Sequence, residues 1–273
     1  MKPYADFGKV SKKLLSDDFV SGKKVEVKTA TDNGVAFTAT GLESSNDGSL
    51  SGVLSWKYRV YGNSFTTKVL TSNTISTEAV FDKLGVDGLK ATVNGAIGAG
   101  KQSATTKVEY SMDPVNTSAL VDIVDKTVVP SIAIGYKNIG LGAEAVVTND
   151  NKNVSRYSVG ATVVHNDSEV TLTAYDQLKT FKIAFSHVVT TGFSVAAEAM
   201  FNREAQTMGM TTGIMYSAGG NVMRLKSDSE GTLSLAYAAK VDKATTLTMS
   251  TATNLKEMEK GQKLGLALTL DQP

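Results

Sequence analysis

The nine residues Phe193-Ser194-Val195-Ala196-Ala197-Glu198-Ala199-Met200-Phe201 carry the pattern that decides the fold. Phenylalanine, valine and alanine occupy every second position, which is the period of a strand rather than the 3.6 of a helix. A usual strand has about five or six residues, whereas a tilted strand that crosses a lipid bilayer needs about 9 to 11. This run therefore predicts a strand of membrane-spanning length.

The same alternation recurs along most of the chain. Turn clusters such as Asp32-Asn33-Gly34, Asn166-Asp167 and Ala218-Gly219-Gly220 separate the runs. From about residue 23 onward the repeat is about 13 residues, which predicts roughly 19 strands. Further alternating runs start at Val25, Val35, Leu50, Phe65, Ala91, Tyr157, Phe181, Leu233 and Leu264.

So many strands without a helical interruption must hide their edges in a sandwich, a propeller or a closed barrel. The absence of a 40-residue blade repeat argues against a propeller. About 19 strands would enclose a hole too wide for apolar side chains to fill, so a barrel of this size needs a polar, water-filled lumen and a lipid-facing exterior. We expect an all-β transmembrane barrel over residues 23–273.

The N-terminal region, residues 1–22, has a different pattern. Phe7, Val10 and Leu14 recur at helical spacing, and Lys9, Lys12 and Lys13 lie among them. This pattern predicts an amphipathic helix of about three turns over residues 4–15. Two interpretations remain open: a surface helix on a soluble core, or a helix in the barrel lumen that buries Phe7 and Leu14 on the wall and turns its lysines to water.

Composition excludes several functional classes. Lys+Arg 28 against Asp+Glu 27 leaves a net charge of +1, which argues against a dedicated nucleic-acid binder. The chain has no cysteine, and His165 and His187 alone make a histidine metal cluster improbable. We expect both histidines near strand ends on the apolar face. Residues 1–15 contain no apolar run of the kind found in secretory signal peptides.

Three motifs resemble one family. Pro3-Tyr4-Ala5-Asp6-Phe7-Gly8-Lys9, Gly88-Leu89-Lys90 and Lys263-Leu264-Gly265-Leu266-Ala267-Leu268 are similar, in order and approximate spacing, to motifs of the eukaryotic mitochondrial porins, the voltage-dependent anion channels. That family is a 19-stranded exception to the even strand numbers of bacterial barrels, so the strand count agrees with the resemblance without being independent of it.

The resemblance implies a barrel in the mitochondrial outer membrane through which ATP, ADP, phosphate and other small metabolites diffuse. It implies that the helix lies inside the pore, that Lys12 is a basic pore residue and that Lys90 contacts nucleotides. Two positions depart from animal members of the family. Thr67 stands at the position of a lipid-facing glutamate, and Asp17 stands at the position of a lysine.

Charged residues on the parity opposite to the apolar stripe predict the selectivity of such a lumen. Acidic residues at this parity are Glu26, Glu109, Glu144, Glu169 and Glu198. Twelve basic residues share it: Lys24, Lys28, Lys57, Lys68, Lys90, Lys107, Arg156, Lys182, Arg224, Lys226, Lys240 and Lys263. A positive lining concentrates anions, but screening over a Debye length of about 8 Å keeps the preference weak in a wide pore.

The same charges predict voltage dependence if some of them move. Each elementary charge that crosses the whole membrane potential gains about 2.3 kcal/mol per 100 mV. The helix or the lysine-bearing wall could be the moving part, and the alternative for each lysine is a fixed charge that tunes conductance only.

No phosphate-binding loop, nucleophile elbow or metalloprotease helix is present, so we expect no enzyme activity, cofactor or metal. Met200, Met208, Met210, Met215 and Met223 are expected in wall packing or facing lipid. The expected partners are membrane lipid, permeating adenine nucleotides and small anions, and a second copy of the chain or other outer-membrane proteins. A protein-import translocase channel and a soluble all-β binding protein are the alternative hypotheses.

Overall fold

The computed structural model describes residues 2–45, 47–82, 84–98, 100–148 and 153–272. It is a closed barrel of 19 strands, which confirms the predicted architecture and strand number. The strands are β1 (Gly22–Ala30), β2 (Ala36–Glu43), β3 (Leu50–Val60), β4 (Asn63–Leu70), β5 (Thr74–Phe81), β6 (Leu89–Gly98), β7 (Lys101–Met112), β8 (Val115–Asp122), β9 (Thr127–Tyr136), β10 (Ile139–Thr148), β11 (Asn153–His165), β12 (Ser168–Tyr175), β13 (Thr180–Thr190), β14 (Phe193–Asn202), β15 (Thr207–Ala218), β16 (Asn221–Asp228), β17 (Thr232–Lys240), β18 (Thr245–Asn254) and β19 (Lys263–Gln272).

Each strand pairs with the next in antiparallel fashion, and the barrel closes between its first and last strands. Because 19 is odd, β1 and β19 run parallel, from Gly22 opposite Gly265 to Thr29 opposite Gln272. The closed sheet leaves every strand with two neighbours, which removes the exposed edges that an open sheet would present.

The two faces of the wall differ in the way the sequence predicts. On β17, Leu233, Leu235 and Tyr237 are exposed on the outer face, whereas Ser234 and Ala236 are buried. Alternation of this kind is the reverse of a soluble barrel, in which large apolar side chains fill the interior.

The N-terminal helix is shorter than predicted. A 3-10 helix at Tyr4–Asp6 is followed by α1 (Lys9–Ser16), and the two are separated at Gly8, whose φ of 68° is left-handed. No described helix has the length and apolarity needed to cross a membrane. A further 3-10 turn, Met258–Lys260, precedes β19.

The predicted apolar stripe of the helix is also partly wrong. Val10 is exposed, whereas Ser11, Leu14 and Leu15 are buried against the wall. The break at Gly8 changes the register between Phe7 and α1, so a single helical period drawn through Phe7, Val10 and Leu14 does not apply.

Candidate functional site

The N-terminal segment lies on the concave side of the barrel. The 3-10 helix packs on β9 and β10, and α1 packs on β13, β14 and β15. Beyond α1, the carbonyl oxygen of Val20 accepts a hydrogen bond from the Ser250 hydroxyl on β18. A single short segment reaches strands so far apart around the wall only across the interior, so the face that it touches is the lumen face.

Glycines in the wall make room for the segment. A Cβ at Gly142 would lie 2.5 Å from Cδ2 of Tyr4, and one at Gly160 would lie 3.1 Å from Cε2 of the same ring. A Cβ at Gly213 would lie 2.6 Å from Cδ2 of Leu15. Side chains at these three positions would therefore displace the two apolar anchors of the segment.

Tyr4 is the anchor at the start of the segment. It is 7% exposed, and Phe7 packs on it with 5.4 Å between the ring centroids. Within the described residues its buried hydroxyl has no hydrogen-bond partner of normal geometry. Burial raises the pKa of this phenol above its ordinary value, because the charged form would lose its solvation there.

Wall carboxylates hold the N-terminal end of α1. Glu169 is 7% exposed and accepts hydrogen bonds from Nζ of Lys2 at 2.7 Å and from the backbone N–H of Gly8 at 3.3 Å. Glu198 accepts a hydrogen bond from the hydroxyl of Ser11 at 3.0 Å. Negative charge at this end complements the helix dipole.

Wall cations hold the C-terminal end. Nη1 of Arg224 donates to the carbonyl of Lys13 at 3.0 Å, and Nε donates to Asp18 at 2.9 Å. Nζ of Lys226 donates to the carbonyl of Leu15 at 3.0 Å and lies 4.1 Å from the centroid of the Phe19 ring. Both ends of the dipole are thus matched by opposite charge on the wall, and these two cations serve as helix anchors.

The helix lysines point to the water path. Lys9, Lys12 and Lys13 are all exposed, and Lys9 pairs with Asp6 at 2.7 Å. Asp17, the position that departs from the animal relatives, is an exposed residue at the C-terminal cap of α1.

The strand register places every predicted lining charge on the lumen face. Gly142 faces the lumen, and residues paired across neighbouring strands, like every second residue along one strand, point to the same face of the sheet. These two rules assign the lumen-facing residues of all 19 strands. The twelve basic and five acidic residues fall on that face, and their roles in selectivity remain predictions.

Several of these lysines are neutralised by neighbouring carboxylates. Ion pairs within the wall include Lys24–Glu26 at 2.6 Å, Lys107–Glu109 at 2.6 Å and Lys182–Glu198 at 2.8 Å. Lys28 is shared between Glu26 and Asp271, and Arg156 lies 3.8 Å from Asp176. Within the described part of the chain, four wall lysines have no ion pair and are exposed: Lys57, Lys68, Lys240 and Lys263.

Five described lumen charges lie outside the set predicted from the sequence. Arg59 lies two residues after Lys57 on β3, and Glu78 lies on β5 opposite Thr66. Continuing the same parity would have found both. Three further acids lie at or next to the last residue of a strand: Asp122, Asp228 and Asp271. Among the described strand residues, the lumen face therefore carries thirteen basic and nine acidic side chains. This excess of basic residues is smaller than the predicted twelve against five.

The Gly88-Leu89-Lys90 motif begins β6 at one mouth of the barrel. Gly88 has a φ of 81°, and a Cβ there would collide with the carbonyl oxygen of Ser111. Leu89 faces outward, and Lys90 faces the lumen 3.6 Å from Asp82. The helix packs on other strands, so Lys90 forms a separate cationic position.

The outer face carries the other residues noted in the sequence. Thr67 lies there and contacts the hydroxyl of Thr77 at 3.4 Å. His165 and His187 also face outward, and Nδ1 of His187 lies 2.8 Å from the hydroxyl of Ser168. Of the methionines, Met208, Met210 and Met223 face outward, whereas Met200 and Met215 share the lumen parity, and Met215 packs against Leu14 and Leu15.

Comparison with known proteins gives one family. The family model described as "Eukaryotic porin" matches residues 1–265. The chain is 27% identical to the voltage-dependent anion-selective channel of Drosophila melanogaster, with 98% of each chain covered. It is 26% identical to the non-selective voltage-gated ion channel VDAC2 of Rattus norvegicus (98% of this chain, 94% of the relative) and 24% identical to the mitochondrial outer membrane protein porin of Candida albicans (97% of each).

A solved structure supports the fold alone. A mutant of the porin of Rh. blastica superposes with a TM-score of 0.52 over 79% of this chain and 88% of that one, at 8% sequence identity. At that identity the likeness concerns the barrel and carries nothing about function.

Proposed function

From the premise that the chain belongs to the eukaryotic porin family, we propose that it forms a voltage-gated, weakly anion-selective diffusion pore of the mitochondrial outer membrane. The observation that carries this proposal is the sorting of charge by face. Within the described strands, charged side chains lie on the lumen side of a closed barrel, except for Lys23 and Glu43 at its rim, and most of the exposed large apolar side chains lie on the outer face. A barrel of this kind is stable in lipid and conducts through its interior.

The membrane location rests on the outer face and on the relatives. Side chains such as Leu264, Leu266 and Ile183 are 45% to 66% exposed on the outside, where water would be a poor solvent for them. Relatives from Oryza sativa, Candida albicans and Arabidopsis thaliana are named mitochondrial outer membrane porins.

The selectivity follows from the charges that are not neutralised. Lys12 and Lys13 on the helix, together with the four unpaired wall lysines, face the water path without a carboxylate partner among the described residues. Nine wall acids offset most of the remaining cations. The resulting field is positive but screened within about 8 Å, which supports a weak preference for anions rather than a filter. The names of the relatives range from non-selective to anion-selective.

The permeants are small anions and metabolites, including the adenine nucleotides. Exposed lysines bind phosphate groups as point charges, and Lys90 at the mouth together with Lys12 at the helix gives two such positions along the path. Association with a second copy or with other outer-membrane proteins belongs to the same proposal. We expect no enzymatic activity, in keeping with the channel family.

The helix is the proposed voltage sensor. It carries three exposed lysines and is attached to the wall by polar contacts at its two ends and by Leu14 and Leu15, which are buried near its C-terminal end. Movement of the equivalent of two or three charges across the field would change the open–closed balance by about 5 to 7 kcal/mol per 100 mV. No observation favours the protein-import channel over the metabolite pore.

Reconstitution of the purified full-length chain in a planar bilayer tests the proposal. We expect an open channel at low voltage and partial closure at tens of millivolts of either sign. In a salt gradient, the sign of the reversal potential should indicate a preference for anions. Lys12→Glu combined with Lys90→Glu should reduce the anion preference. Lys23→Gln, which removes a charge from the outer face, is the matched control and should leave the reversal potential unchanged. Cation preference without voltage-dependent closure would contradict the proposal, as would recovery of the protein in the aqueous phase after carbonate extraction.

A further inference from the structure

Within the part of the chain that the structure describes, one ion pair between strand residues lies on the outer face of the barrel. Among the described strand residues with outward parity, Lys23 of β1 and Glu43 of β2 are the only charged side chains, and they lie opposite each other. Nζ of Lys23 lies 3.2 Å and 3.1 Å from the two carboxylate oxygens of Glu43. Their side chains are 70% and 39% exposed, so both remain accessible to a ligand from the lipid side.

The pair lies at the end of the strands. Lys23 is the second residue of β1, and Glu43 is the last of β2. In a barrel whose strands cross the bilayer, strand ends coincide with the level of the lipid headgroups. The pair therefore meets headgroups, while the residues further along both strands meet acyl chains.

Two apolar grooves run down the outer face on either side of the pair. One, of about 580 Å³, lies over β17–β19 and is lined by Leu235, Tyr237, Met249, Leu264 and Leu266. The pairing of β1 with β19 begins at Gly265, so Leu264 lies just beyond the first paired residue of β19.

The other groove, of about 560 Å³, lies over β1–β4 and is lined by Val25, Leu54 and Val69. Gly41 and Gly52 pair directly with each other at its centre, and the missing side chains form the depression. Lys23 and Glu43 line the first groove. On the same face, the next cross-strand pair is Val25 with Gly41, and both residues line the second groove. The ion pair therefore lies between the two grooves.

We propose that this surface binds phosphatidylethanolamine, a diacyl phospholipid with a primary-amine zwitterionic headgroup. Its phosphate contacts Lys23, its ammonium contacts Glu43, and its two acyl chains occupy the two grooves. The inference rests on the membrane placement of the proposed function. Two opposite charges side by side complement a zwitterion whose charges are also adjacent. The ammonium of ethanolamine donates hydrogen bonds to a carboxylate, which the methylated nitrogen of choline does not.

The pair discriminates against the other common headgroups. A net-anionic lipid satisfies Lys23 but meets Glu43 without a cation, and like-charge contact is unfavourable. Phosphatidylcholine loses the charge-assisted hydrogen bond to Glu43. As a purely structural ion pair this contact would add little, because exposed pairs contribute about 0 to 1 kcal/mol to stability.

The first experiment counts the lipids retained by the full-length chain. The protein is purified from mixed micelles with equal amounts of phosphatidylethanolamine, phosphatidylcholine and phosphatidylglycerol of identical acyl chains, and bound lipids are counted by native mass spectrometry. We expect about five-fold preferential retention of one phosphatidylethanolamine, the ratio that about 1 kcal/mol gives. Glu43→Gln should transfer the preference to phosphatidylglycerol, and Lys23→Ala with Glu43→Ala should abolish it.

Lys24→Ala is the matched control, because Lys24 is the next residue on the same strand but faces the lumen. It should leave the lipid preference intact. Equal retention of the three lipids by the wild type, or equal loss in the Lys24→Ala variant, would overturn the proposal. Bilayer conductance of the same samples reports the pore separately, so a conducting chain without lipid preference contradicts this inference alone.

A second measurement uses the unmodified chain and does not depend on variant folding. A phosphatidylethanolamine with a photoreactive group on one acyl chain should label peptides that contain Met249 or Val69, one in each groove. Labelling spread evenly around the 19 strands would show ordinary annular lipid and overturn the proposal.

Discussion

The wall glycine under Leu15 gives a direct test of whether the docked helix is the open state. Gly213 lies on the lumen face of β15, and a Cβ there would be 2.6 Å from Cδ2 of Leu15 and 3.0 Å from the carbonyl oxygen of Leu225. In Gly213→Val the branched side chain fills the space that Leu15 occupies, while the strand itself gains a residue that favours β structure.

The magnitude follows from the burial that is lost. Leu15 is 6% exposed, and full burial of a leucine side chain contributes about 1.5 to 3 kcal/mol. If two or three charges move on gating, a loss of about 2 kcal/mol shifts the voltage midpoint by about 30 to 40 mV towards zero. Planar-bilayer conductance as a function of voltage measures this shift.

Gly209→Val is the matched control. Gly209 lies on the same strand and the same face, two rungs away, and nothing stands within 4 Å of its Cβ position. We expect this variant to keep the wild-type midpoint. An unchanged midpoint in Gly213→Val, or the same shift in both variants, would refute helix undocking as the gating step.

Three further predictions concern the same lumen. Because the chain has no cysteine, a single introduced cysteine reports the exposure of its position. A charged maleimide should modify Val10→Cys, since Val10 is 44% exposed to the water path, and should spare Leu14→Cys, since Leu14 is 5% exposed. Equal labelling of the two variants would contradict the observed helix register. The double variant Lys57→Gln/Lys68→Gln should lower the anion preference that the reversal potential measures. The double variant Lys107→Gln/Glu109→Gln removes an ion pair without net charge and should leave that preference unchanged. A larger loss of anion preference in the second variant would show that ion pairing of the lysines does not govern selectivity. Gly88→Ala should lower the melting temperature by more than Gly85→Ala. Both positions have φ near 80°, which costs alanine about 1 to 2 kcal/mol of strain, but of the two only Gly88 has a carbonyl oxygen against its Cβ position. Equal melting temperatures of the two variants would contradict this prediction.

Alternation made the barrel predictable from sequence. Runs such as Phe193 to Phe201 repeat a two-residue period with little interruption, and each predicts the inward or outward direction of a side chain without reference to distant residues. For the same reason the twelve basic residues assigned to one parity all fall on one face. Charges at strand ends, such as Asp122 and Asp228, are harder to assign to a face, because the two-residue period stops at a turn.

The docking of the helix was less predictable, because it depends on contacts between residues far apart in the chain. Gly8 interrupts the helix, and the wall glycines Gly142 and Gly213 decide which apolar side chains it buries. Nothing in the alternation around Gly213 distinguishes it from Gly209, although only the first lies under Leu15. The strand pattern alone assigns Arg224 and Lys226 to the lumen lining, and only the structure shows that both donate hydrogen bonds to helix carbonyls.

The parallel contact between β1 and β19 has a consequence for assembly. Every other pairing joins neighbours in sequence and can zip up from a short turn, whereas Gly22 must find Gly265 across almost the whole chain. Because the first strand has to wait for the last, an unfinished barrel presents two unsatisfied edges, and a truncation that removes β19 leaves both of them open. Closure of the barrel thus depends on pairing between two strands that lie at opposite ends of the chain.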